Sequence, residues 1–152
     1  MTATSPTDQP DPSHHSDQPS HDLPRRLVNT RDLINSLTGT GTVDGADGAA
    51  PGAVWRLAEP VRDLDSNVIH LAAGDGIEAH PGAGLDVLIN VLHGSGTLGT
   101  ADGPLTLRTG DLLWLPRLTL RSFTAGDDGL VYHTIHQRKP GLQVQTRRPA
   151  TA

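Results

Sequence analysis

From Ala53 onward the chain alternates short apolar runs with polar and turn residues. The runs are AVWRLAE, NVIHLAA, LDVLINVLH, TLGT, PLTLR, DLLWLP, TLRSFTA, GLVYHTIHQ and LQVQT. Turn chemistry separates them at Ala72–Gly76, His93–Gly96, Ala101–Pro104 and Gly126–Gly129. Strict alternation buries one face of a strand, and strands recurring roughly every 8–12 residues indicate a β-sandwich or barrel. An all-β domain is therefore predicted over residues 53–146, with no internal repeat. Upstream the period changes. LVNTRDLINSL, residues 27–37, is spaced as a short helix, with Leu33, Ile34 and Leu37 on a stripe suited to lie against a sheet. Asn29 is placed to cap it, and Asp32 sits near its positive N-terminal end.

The other segments have little to bury. Residues 1–24 hold four Asp, five Pro, no Lys or Arg, and only Met1, Ala3 and Leu23 as apolar residues. Such a stretch cannot offset its ordering entropy, so a disordered N-terminal tail is predicted. His14, His15 and His21 read as part of that solvated tail rather than as a metal tract. Residues 25–52 hold the helix and then the flexible linker TGTGTVDGADGAAPG. Residues 147–152 form a basic C-terminal tail, Arg147 and Arg148 continuing the solvated Arg138 and Lys139.

Composition narrows the function classes. The chain of 152 residues is one domain's worth, and 17 Gly with 12 Pro favour many short elements over long helices. There is no Cys, which excludes disulfide scaffolds, thiolate zinc sites, iron–sulfur clusters and thiol nucleophiles. A net charge of −5 gives no footprint for a nucleic-acid partner. No apolar run is long enough for a membrane span and no secretory pattern opens the chain, so the expected location is cytoplasmic.

Two stretches carry more. One is Gly74-AspGlyIleGluAla-His80 followed by LDVLINVLHGSG; the other is Gly110-AspLeuLeuTrpLeu-Pro116 followed by RLTLRSFTA. Together they resemble the two motifs of the cupin family, and the resemblance spans about residues 53–140. Motif one reads Gly, five residues, His, one, His, three or four, Glu, six, Gly; motif two reads Gly, five, Pro, one, Gly, two, His, three, Asn. The resemblance implies a small jelly-roll β-barrel, often dimeric, with a ligand pocket inside. A homodimer and a small-molecule partner are expected on that basis. Gly94 and Gly96 are suited to a tight turn between antiparallel strands, and Pro116 to a strand end, where its missing N–H is harmless.

The metal-binding letters are mostly replaced. The resemblance implies three His and one Glu, and here the first His is His80 while the second is Gly82. The Glu becomes Asp86 or Val87 according to the spacing; counting back from Gly94 favours Val87 inward and Asp86 outward. The motif-two His is Arg121 and its Asn is Ala125. One imidazole does not hold a divalent ion. A rebuilt site for Fe, Mn, Ni or Zn would draw on His80, Asp86, His133 and His136. His133 and His136 differ by three, so only one of them can face inward on a regular strand. The expectation is no cofactor and no complete metal site, with these His residues hydrogen-bonded in pocket or surface.

Arg121 has a second meaning. Facing inward, it places a permanent cation where the metal would sit, suited to a carboxylate or phosphate. The alternative is an outward Arg121 or one paired with Asp86 or Glu78. Arg117 reads as a solvated loop residue, Trp55 and Trp114 as core, and Tyr132 as a candidate pocket hydroxyl. The expected function is binding of a small, possibly anionic molecule in the barrel, with His80, Arg121, Tyr132 and His136 as pocket residues. The alternatives are a metal-dependent dioxygenase or isomerase with a rearranged site, and a metal-independent epimerase-like enzyme using His80 with Asp86 or Tyr132.

Overall fold

The computed structural model describes residues 23–39 and 52–139. The expected disordered tail, most of the linker, the strand at 142–146 and the basic tail 147–152 lie outside these residues, wholly or for the most part. The described elements are α1 (Thr30–Thr38), β1 (Ala53–Arg56), β2 (Leu64–Leu71), β3 (Gly76–Pro81), β4 (Val87–Thr100), β5 (Gly103–Arg108), β6 (Leu112–Leu115) and β7 (Leu120–Gln137). Every pairing is antiparallel.

Asn29 caps α1 as its side chain predicts, accepting from the Arg31 and Asp32 amides at 3.0 and 3.3 Å. The apolar stripe behaves differently from expectation. Leu33, Ile34 and Leu37 are only half-buried, and no residue of α1 is fully buried. The extended residues just before the helix lie over the sheet instead, Leu27 and Val28 lining a groove with Trp55, Leu57 and Val68.

Two long strands organise the rest. The first half of β4 pairs with β6 on one side and the second half with β5, while β7 runs along its other edge. The first half of β7 pairs with β3 and the second half with β2, which continues to β1. The result is two sheets, β1-β2-β7-β4-β6 and β3-β7-β4-β5, that share β4 and β7 and fold over one another as a jelly roll.

This corrects two expected turns. His93–Gly96 and Gly126–Gly129 lie inside β4 and β7, where the strands bend from one sheet into the other. Gly94 pairs with Leu130 and Gly96 with Ala125, so Ser95 alone faces the four residues Gly126–Gly129. Gly94 and Gly129 have φ of 76° and 75°. A Cβ at Gly94 would lie 2.1 Å from the Gly129 carbonyl oxygen, so the glycines permit backbone contact at a bulge rather than a hairpin.

Between the sheets, alternate residues form the core. Val87, Ile89 and Val91 of β4 are buried while Leu88 is exposed; Phe123 and Ala125 of β7 are buried while Thr124 is exposed. Phe123 and Tyr132, from opposite halves of β7, stack at 4.9 Å and 12° across the bend. Trp114 departs from its expected core position. It is 67% exposed, because Leu113 and Leu115 take the inward positions of β6. Trp55 is half-buried on the outer face of the first sheet.

Candidate functional site

A cavity of about 300 Å³ opens between the two sheets. The first sheet contributes Ile69, Val87, Ile89, Tyr132 and Thr134, and the second contributes Ile77, His80, Arg121 and Phe123. His80 and Arg121 are cross-strand partners on β3 and β7. Ile77 and His80 are three apart yet both line the cavity, because the β3 register shifts between them. That irregularity also explains why alternation did not isolate β3 as a strand.

Arg121 is the one side chain of fixed positive charge in the lining, and it is half-buried. Its Nη1 is buried with no hydrogen-bond partner among the described residues. The expected alternative partners do not engage it: Asp86 instead accepts from the Arg117 amide at 2.9 Å, and no Arg121–Glu78 ion pair is found among the described residues. Burial lowers the Arg121 pKa, with Tyr132 acting weakly in the other direction. Its ordinary value is high enough that the guanidinium stays charged. Tyr132 is 3% exposed. Burial pushes its pKa upward against the pull of the Arg121 charge, so it remains a neutral hydroxyl. His80 bonds through Nδ1 to the Glu78 carbonyl oxygen at 2.8 Å. A carbonyl only accepts, so Nδ1 carries a proton and donates it there, and Nε2 is the ring nitrogen left for other contacts.

The remaining expected ligands are dispersed. Val87 occupies the inward position, and Asp86 faces solvent. His133 points to the outer face of the first sheet, where Nε2 lies 2.5 Å from Ser66 Oγ and the ring meets Trp55 edge-on at 6.5 Å. It lines a separate groove of about 350 Å³, with Arg25, Arg26 and Val68 among its walls, and burial lowers its pKa. His136 has the inward parity of Tyr132 and Thr134. It nevertheless falls at the end of β7, in a surface cleft with Arg56, Arg62 and Asp65, and bonds through Nδ1 to the Gln137 carbonyl. Neither His133 nor His136 reaches the barrel pocket. Among the described residues no group of three or more His, Asp or Glu is placed to hold a metal ion.

Solved structures share this architecture. A cupin-2 domain protein from Shewanella frigidimarina matches with a TM-score of 0.52 at 17% identity, over 74% of this chain and 95% of that one. The chain has a cupin fold. A cupin 2 conserved barrel domain protein from Rhodopseudomonas palustris gives 0.51 at 18% identity, over 55% of this chain and 57% of that one. A protein with a double-stranded β-helix domain from Klebsiella pneumoniae gives 0.53 at 14%, over 75% and 90%. No family model and no curated protein matches the sequence.

Within this cupin fold, three of the four metal-ligand positions of the motifs identified from the sequence, His80, Val87 and Arg121, line one cavity. The fourth, Gly82, lies directly against the Arg121 guanidinium. Sequence reasoning missed Ile69, Ile77, Ile89, Phe123 and Thr134 as lining residues. Thr134 was accessible through its spacing of two from Tyr132; nothing in the sequence set the four apolar residues apart from others on their strands.

No described helix is long and apolar enough to cross a membrane.

Proposed function

We propose that this cupin binds a small anionic molecule inside its barrel, with Arg121 as the charged anchor and without a complete metal centre. The observation that carries the reading is Arg121, which lines a largely apolar cavity and has a buried Nη1 with no hydrogen-bond partner among the described residues. A desolvated donor left unmatched costs about 1–3 kcal/mol, so an acceptor supplied by a ligand recovers that loss. The cavity lies at the lower end of ordinary small-molecule sites. Tyr132 adds a hydroxyl that can donate to the anion, and Thr134 and His80 complete the polar part of the lining. The metal-dependent alternative lacks this support, since its other expected ligands, Asp86, His133 and His136, lie outside the cavity lining. The expected compartment remains the cytoplasm.

Calorimetry with a panel of small carboxylates and inorganic phosphate tests the reading. Arg121→Gln is expected to weaken the best anion tenfold or more, each decade corresponding to about 1.4 kcal/mol. Equal affinities in wild type and variant for every anion that binds would remove Arg121 from the site and the reading with it.

A further inference from the structure

Gly82 stands where motif one carries its second histidine, and its surroundings give the missing side chain a purpose. An ideal Cβ there would lie 2.9 Å from Arg121 Cζ, 3.0 Å from Nη1 and 3.2 Å from Nη2. The flat guanidinium is therefore laid against the backbone of residue 82. That backbone cannot retreat, because the Gly82 amide donates to the Thr119 carbonyl at 2.9 Å and the Leu118 amide to the Ala83 carbonyl at 2.9 Å. These bonds tie the loop after β3 to the loop before β7. With both loops pinned, a methyl group at residue 82 displaces the guanidinium, which is the free end of a flexible side chain.

We propose that Gly82 is a specificity-determining position whose bare backbone seats Arg121 to receive a planar monocarboxylate with an apolar body. This inference rests on the anion-binding reading above and names its ligand class. A seated guanidinium presents a flat fork of N–H donors, which matches the two oxygens of a carboxylate. The lining offers one cation and no second basic side chain of fixed charge, which suits a single negative charge better than a phosphate dianion. The remaining walls are Ile69, Ile77, Val87, Ile89 and Phe123, so the rest of the ligand is apolar.

Hexanoate, hexanamide, acetate and inorganic phosphate serve as probes, measured by calorimetry on the full chain. Wild type is expected to bind hexanoate at least tenfold more tightly than each of the others. Gly82→Ala is expected to lose most of the hexanoate preference over hexanamide while keeping its melting temperature and its weak hexanamide affinity. The double variant Gly82→Ala/Arg121→Gln should bind hexanoate no worse than Arg121→Gln alone, because both changes remove the same contact. Gly84→Ala, whose Cβ would meet nothing within 4 Å, serves as the control and should bind as wild type. The outcomes separate two failures. Wild type that binds none of the anions, or Arg121→Gln that binds them equally well, overturns the anion-binding reading itself. Loss on Arg121→Gln with full hexanoate affinity in Gly82→Ala, or additive losses in the double variant, overturns the seat at Gly82 alone. Phosphate preferred over hexanoate by wild type overturns the ligand class, and that comparison needs no variant.

Discussion

Leu118 stands at the position where motif two has its glycine, two residues past Pro116, and it keeps a left-handed backbone with φ of 61°. The conformation costs a residue with a side chain about 1–2 kcal/mol, and Leu118 is 67% exposed, so little burial offsets it. Leu118→Gly is expected to relieve that strain. Glycine's looser unfolded chain takes back about 0.4–1 kcal/mol, leaving a net gain of about 0.5 kcal/mol. Thermal unfolding should show the midpoint rising by about 2–4 °C, and a lower midpoint would contradict the strain. At this scale the sequence was legible where spacing alone decides the answer. His80, Val87 and Arg121 follow from counting between glycines and prolines, and the count correctly preferred Val87 to Asp86. Gly82 was legible only as a lost ligand, because its contact with Arg121 depends on how two loops meet. Trp114 was unreadable from size and apolarity, since which face of β6 turns inward is set by its pairing with β4.

The strands show a different kind of legibility. Alternation located most of them, but it read the bends of β4 and β7 as turns, because glycine marks a bulge and a hairpin alike. The strand pair β2–β7 also buries its outer face, under residues 25–28, and there His133 meets Ser66. Groups facing His133 are Ser66 from β2, Trp55 from β1, and Arg25 and Arg26 of the covering segment, Arg25 being paired with Glu59. Burial lowers the His133 pKa below its ordinary value of about 6.5. The unfolded chain therefore binds the proton more readily than the folded one. Stability from this group is complete above about pH 6.5 and is lost as pH falls through the folded pKa. The melting temperature of wild type is expected to drop more steeply between pH 7 and pH 5 than that of His133→Gln. Parallel profiles would show that His133 titrates as it does when unfolded.

For the whole molecule, ligand binding and metal binding make opposite predictions. Anything held only by the folded state stabilises it, by about 2.7 kcal/mol at a hundred times its dissociation constant. Saturating hexanoate is expected to raise the melting temperature, whereas prolonged treatment with a chelator should leave it unchanged. A chelator-induced fall, restored by one equivalent of a divalent ion, would restore the metal-dependent alternative. The sharing of β4 and β7 between both sheets has a further, kinetic consequence. β5 and β6 need β4 as a template, while β2 and β3 need β7, and β4 and β7 are themselves each other's partners. Neither sheet can be assembled first and docked later. The nucleus must join β4 and β7 through pairs that lie 23 to 47 positions apart, from Gly99–Ser122 to Leu88–Ile135, a non-local closure of the kind that slows folding to roughly milliseconds to seconds. Hydrogen exchange should accordingly find amides of both sheets opening together at one free energy, rather than one sheet fraying while the other persists.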